Sequence, residues 1–221
     1  MVPNSSPETG RERDDQILRF RESERHLHWA IAVPFMVSYF TALVLIVVYN
    51  PHPARPLRWL FSSIHRISGM WLMVLPLWAV VTHRGDVRVY LENVREAFRW
   101  TLDDLKWLAL SGPAAVSKHV TLPPQGKFNA AEKINFMTVM ATYPLYIVTG
   151  VLIWLPGVPL AAWLLHFSMA AMATPLLVGH VFMAVVNPDT RVGLSGMFSG
   201  FVSREWAKHH YRRWYEQQYD V

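Results

Sequence analysis

Between Leu160 and Asn187 the chain runs for 28 residues, LAAWLLHFSMAAMATPLLVGHVFMAVVN, without one Asp, Glu, Lys or Arg. A bilayer is crossed by ~20 apolar residues rising ~1.5 Å each, so this stretch is long enough to span one as a helix. Inside it sit His166 and His180. Their spacing puts them ~21 Å apart along a helix axis and ~40° apart around it, facing one way at two depths. In a soluble core such a histidine reads as hydrogen-bonded packing. In lipid an imidazole is costly and tends to face a partner or cofactor, and two on one face suit two stacked haems.

Hydrophobic residues make up 52% of the 221. A soluble protein can reach that share, so distribution decides: the apolar residues stand in long, charge-poor blocks. The expected fold class is an all-α integral membrane protein, a four-transmembrane-helix bundle binding two b-type haems, with cytoplasmic amphipathic helices. Spans are expected over about 26–49, 60–83, 134–155 and 160–187, the first ended by the turn-rich NPHPARP. The chain thus divides into a tail (1–25), a membrane domain (26–187) that includes a loop (84–133), and a C-terminal tail or helix (188–221). The charged first 25 residues read as a flexible tail and lack the short apolar core of a cleaved signal, leaving the first span to act as an uncleaved anchor. There is no cysteine. This excludes disulfides, thiolate-held iron-sulfur clusters and covalent c-type haem within the chain, so a cofactor must be held by His, Met, oxygen ligands or backbone.

Cationic residues orient the spans. Of 21 Lys and Arg, 18 fall before the first span, in the long loop or after the fourth span; only Arg55, Arg58 and Arg66 fall on the other side. The positive-inside rule then makes both termini and the long loop cytoplasmic. Arg55, Arg58 and Arg66 suit outer haem propionates, an acidic partner or lipid headgroups. Within the loop, apolar residues from Val87 to Leu108 recur at helical spacing, which predicts one amphipathic helix over Asp86–Leu110. It would lie on the inner membrane surface, anchored by Trp100 and Trp107, or pack on a soluble partner. A second aromatic, basic helix is expected over Ser203–Tyr219.

Depth sorts the histidines. His65 and His166 start the second and fourth spans on the outer side; His28 and His180 lie near the inner ends of the first and fourth. Each pair can bracket a haem. Two imidazoles fill both axial positions of the iron, which suits electron transfer instead of oxygen binding. His83 lies five turns after His65 and could face the inner haem, but it abuts Arg84 at the charged boundary, where an interfacial or proton-handling role suits it better. Gly69, one turn after His65, could admit a porphyrin or simply ease helix packing.

These residues also carry a resemblance. ERHLHW at the first span, SIHRISG in the second, GKFNAAEK before the third, LLHFSMA and GHVFMA in the fourth, and GMFSGFVSREWAKHHYRRWY near the end resemble the gamma subunit, a cytochrome b, of membrane-bound formate dehydrogenases. The resemblance spans nearly everything after residue 20. It implies a four-helix di-haem cytochrome b that anchors a larger enzyme and passes electrons to quinone without oxidising formate itself. Its implied partners are an iron-sulfur beta subunit and a catalytic alpha subunit holding molybdenum or tungsten, with menaquinone or ubiquinone as acceptor. Carried over, the haem ligands fall on His28, His65, His166 and His180, the four that depth selects. The quinone site falls on Asn129, Ala131 and His180. Ala131 and Ala170 stand where the family commonly has glycine, and GKFN also reads as a plain turn before the third span. Cytochromes of hydrogenases or thiosulfate reductases, and freestanding di-haem reductases, are the alternatives.

Overall fold

Among the described residues, four helices of the computed structural model are long and apolar enough to cross a membrane. The structure describes residues 15–117 and 119–220; residues 1–14 of the tail expected over 1–25, Lys118 of the loop and Val221 lie outside them. In chain order the elements are strand β1 (Gln16–Leu18), α1 (Glu22–Val44, wound on to Tyr49 as a π turn), α2 (Arg58–Thr82), α3 (Val87–Phe98), α4 (Leu102–Val116) and α5 (Ala130–Leu152). Then come α6 (Leu160–Val181, continued by a π turn to Val186), α7 (Gly193–Ser199), strand β2 (Phe201–Ser203), α8 (Arg204–His210) and α9 (Arg212–Tyr219). The four spans are α1, α2, α5 and α6 with their π extensions. Two compact units result, one of Glu22–Val89 and Val139–Leu177, the other of Met1–Arg21, Tyr90–Thr138 and Val178–Val221.

In the first unit several polar side chains meet between the helices while many large apolar ones face outward. Ser38 of α1 and Ser68 of α2 meet at 2.7 Å through their hydroxyls. Tyr39 donates to Thr174 Oγ1 at 2.8 Å, and Tyr143 donates to the Leu72 carbonyl at 2.6 Å. Val47, Leu77 and Trp78 are meanwhile 67%, 68% and 66% exposed. Water would expel such a surface; lipid does not, and it removes the hydrophobic drive between helices, leaving close packing and interhelical hydrogen bonds to hold them. The buried seam of α2, Ser68, Leu72, Pro76 and Ala79, follows helical spacing. Every span has one internal proline, Pro34, Pro76, Pro144 or Pro175. Membrane helices tolerate this because neighbouring groups re-satisfy the freed carbonyl.

The second unit has a water-type core of Ile17, Val202, Ala207, Tyr211, Trp214 and Tyr215. β1 and β2 pair antiparallel with Ile17 opposite Val202. The segment expected as a flexible tail is therefore folded in from Gln16, because its apolar Ile17 and Phe20 have a core to enter. Gly200 ends α7 at φ +93°, a left-handed conformation that glycine adopts freely, and its carbonyl accepts from Arg19 and Phe20 at 2.8 and 3.2 Å. Arg19 is only 4% exposed; its guanidinium lies 3.5 Å from the Tyr211 ring centre and donates to the Lys127 carbonyl at 2.9 Å.

The structure corrects two expected helices. Asp86–Leu110 is not one helix but α3 and α4, since Thr101 and Asp104 form a capping box that starts a new one after Phe98. Ser203–Tyr219 is likewise two, parted at Tyr211, whose φ of −135° and ψ of 48° leave the helical region. Lys133 Nζ reaches Asp104 Oδ1 at 2.9 Å with both side chains 3% exposed.

Candidate functional site

His65 and His166 come together in the first unit, ring centres 6.4 Å apart and planes 80° apart. His65 Nδ1 lies 2.9 Å from the Ser38 carbonyl of α1 and 3.3 Å from Thr41 Oγ1. A carbonyl only accepts, so Nδ1 carries the proton. Thr41 donates its own hydroxyl proton to the backbone at 2.7 Å, so towards His65 its oxygen is a second acceptor. His166 Nδ1 lies 2.8 Å from Thr149 Oγ1, and Thr149 donates its single hydroxyl proton to the Leu145 carbonyl at 2.6 Å. Thr149 therefore accepts from His166. Both imidazoles are held as the Nδ1–H tautomer, which leaves Nε2 with the lone pair on each. The Tyr146 ring stands edge-on to His166 at 5.9 Å, and a Cβ on Gly150 would come within 3.5 Å of that imidazole.

Ser38, Thr41 and Thr149 are contacts of the histidine pair that sequence reasoning missed. The Thr41 and Thr149 hydroxyls inside apolar spans signal that they bond something but not what, and the Ser38 carbonyl, a backbone acceptor, leaves no signal. Gly69, by contrast, has nothing within 4 Å of where its Cβ would stand.

The remaining residues are seen in their own surroundings. His28 is half-buried in α1, also in the first unit, with its ring edge-on to Trp29 at 5.1 Å. His180, Asn129 and Ala131 all belong to the second unit, and His180 and Ala131 are exposed. Asn129 Oδ1 accepts the Glu132 N–H at 2.9 Å while Glu132 Oε2 accepts the Asn129 N–H at 2.8 Å. This capping box starts α5 at Ala130, four residues ahead of the expected Ile134. The other Glu132 oxygen accepts from Tyr211 at 2.7 Å. Burial, with the Glu132 charge beside it, holds the Tyr211 hydroxyl well above the ordinary tyrosine range.

The sequence model of the family described as prokaryotic cytochrome b561 matches residues 19–200. The chain belongs to this family. The cytochrome is 25% identical over 218 residues to the cytochrome b556(Fdn) subunit of the nitrate-inducible formate dehydrogenase of Escherichia coli (strain K12), covering 91% of each chain. It is 26% identical over 220 residues to the cytochrome b556(fdo) subunit of formate dehydrogenase from the same strain, covering 93% of this chain and 94% of that one. The formate dehydrogenase cytochrome b556 subunit of Haemophilus influenzae is 22% identical over 223 residues, 93% of this chain and 84% of its own. The resemblance carried by the histidine and loop motifs is thereby borne out. Four apolar spans and this family make the cytochrome a multi-pass bacterial membrane protein.

A b-type haem is what such a family implies, and the donor set fits one. Two metal–imidazole bonds of ~2 Å, plus ~1.1 Å from each nitrogen to its ring centre, would set the centres ~6.2 Å apart; those of His65 and His166 are 6.4 Å apart. A metal-binding imidazole characteristically donates its other N–H to a carbonyl or similar acceptor. Ser38 and Thr149 supply such acceptors. A chain without cysteine holds haem by ligation alone, as a b-type cytochrome does.

Proposed function

We propose that the cytochrome is the di-haem, membrane-anchored subunit of a formate dehydrogenase complex, passing electrons from an iron-sulfur beta subunit to a membrane quinone. The catalytic alpha subunit, with molybdenum or tungsten, oxidises formate. The observation that carries this reading is the His65–His166 pair, two imidazoles spaced as ligands of one iron would be, with both Nδ1–H groups already bonded. His65 and His166 would hold the haem from both sides, and the chemistry it would supply there is single-electron transfer without oxygen binding. Ser38, Thr41 and Thr149 hold the two rings in the ligating tautomer and raise their basicity. His28 and His180 hold the second haem, a reading supported by their depth in α1 and α6 and by the formate dehydrogenase cytochromes that this chain resembles.

The quinone site is formed by Asn129, Ala131 and His180, which share the second unit. Asn129 spends its carbonyl oxygen on the α5 cap, so a quinone oxygen meets its amide N–H. Ala131 leaves room beside the backbone. The excess of Lys and Arg in the loop and both tails orients the termini to the cytoplasm.

Mild-detergent purification from native membranes tests the whole reading. Two b haems per chain are expected, together with co-purified iron-sulfur and formate-oxidising subunits. Fewer than two haems, or a pair of optical signatures that both survive His65→Ala and His166→Ala, overturns it; a different soluble partner with both haems intact overturns the formate assignment alone.

A further inference from the structure

Glu22 and His26 stand one turn apart at the start of α1, and His83 closes α2, all three within the first unit. His26 Nδ1 lies 2.7 Å from His83 Nε2, with ring centres 4.9 Å apart, and Glu22 Oε1 lies 3.7 Å from His26 Nε2. One donor atom from each residue lies within 4.8 Å of the other two. None of the three belongs to the haem or quinone sets. We propose that Glu22, His26 and His83 form a binding site for a divalent transition metal of the zinc class.

Two imidazoles and one carboxylate are the donors of open zinc sites, in which a water takes the fourth position. An exposed acid–histidine pair one turn apart stabilises a protein by very little, so the ion pair alone does not account for a third donor from another helix. That third donor is well anchored. The His83 N–H bonds the Ala79 carbonyl at 3.2 Å and the His83 carbonyl accepts from Asp86 at 2.8 Å, which fixes the backbone that presents its ring. As the C-terminal cap of a 25-residue helix, it also sits where the helix dipole favours a cation. Metal bonds of ~2.05 Å in a tetrahedral arrangement need the two nitrogens ~3.3 Å apart, a widening of ~0.6 Å from the present hydrogen bond. The side chains have the freedom for this, His26 being 54% and Glu22 65% exposed. Bound metal exchanges one N–H···N contact for two metal–nitrogen bonds and ties the first turn of α1 to the end of α2. Imidazole nitrogen selects Zn²⁺, Ni²⁺ or Cu²⁺ over Mg²⁺ or Ca²⁺.

The inference is independent of the haem reading, because its assay counts zinc. Tag-free holoprotein, dialysed against chelator, is titrated with ZnCl₂ in a calorimeter. One saturable Zn²⁺ per chain is expected, unmatched by MgCl₂, lost in His26→Ala and His83→Ala, and weakened in Glu22→Gln. The tail histidines form the control: a His209→Ala, His210→Ala double variant keeps the site. Zinc K-edge absorption of the 1:1 wild-type complex needs no variant to fold and is expected to give two imidazoles and carboxylate oxygen at ~2.0–2.2 Å. Absence of saturable binding, its survival in His83→Ala, its loss in the tail variant, or a shell without two imidazoles overturns the proposal.

Discussion

Replacing Thr149 by valine isolates what the hydroxyl does for His166. The two side chains have nearly the same shape, so packing changes little, but the acceptor 2.8 Å from His166 Nδ1 disappears. A polar group left unpaired away from water costs ~1–3 kcal/mol. Removing such a supporting hydrogen bond at metal sites typically lowers metal affinity ~10–100-fold, which at ~1.4 kcal/mol per tenfold is ~1.4–2.8 kcal/mol. The two routes agree because both measure the same orphaned N–H. In a competition assay, with an apo-haem protein drawing haem from the purified cytochrome, Thr149→Val should release one of the two haems proposed above ~10–100-fold more readily. A less basic imidazole donates less charge to iron, so that haem's reduction potential should rise while the other stays put. Thr149→Ser, which restores the oxygen, should restore both readouts. Equal effects on both haems, or no effect of valine on either, would refute the assignment of His166 as a ligand supported by Thr149.

Four further expectations follow from the same geometry. His65→Ala and His166→Ala should each remove one and the same haem signature, and His28→Ala and His180→Ala the other, in visible spectra of dithionite-reduced protein. Lys133→Met strands the buried Asp104 carboxylate and should destabilise the fold by ~3–5 kcal/mol, most of it recovered in the Lys133→Met, Asp104→Leu double variant. Asn129→Asp keeps the α5 cap and Asn129→Ala removes it at ~1 kcal/mol, yet both lose the amide N–H and should slow quinone reduction alike; unimpaired turnover in Asn129→Asp would exclude the quinone role. Burial, then the neighbouring His209, pushes His210 down to about 4, so its folded-state value lies below its ordinary 6.5. The stability tied to neutral His210 is then complete above pH 6.5 and is lost as pH falls towards 4, and His210→Gln should flatten that arm of a thermal-melting profile.

What could be read from the sequence depended on range. The four spans follow from composition over ~20 residues, a property each segment carries alone, and their observed limits all stay within four residues of those expected. The capping boxes, Thr101 with Asp104 and Asn129 with Glu132, were themselves legible as S/T/N-x-x-D/E signatures, but apolar periodicity running across Thr101 masked the first. The β1–β2 pairing was not legible, since three-residue strands joined across more than 180 residues leave no local pattern. The His65–His166 pair was legible as a matter of depth, because both histidines must sit at a level set by helix rise. Its supporting acceptors were not: Ser38 lies 27 residues from His65, and Thr149 lies 17 from His166 on another helix. Which ring nitrogen is free for iron is decided by those distant oxygens. Ligand identity is thus a property of single residues in apolar runs, whereas ligand readiness is a property of the packed bundle. A variant that repacks α1 against α2 without touching any histidine should therefore disturb the haem proposed to bind His65 before it melts the fold.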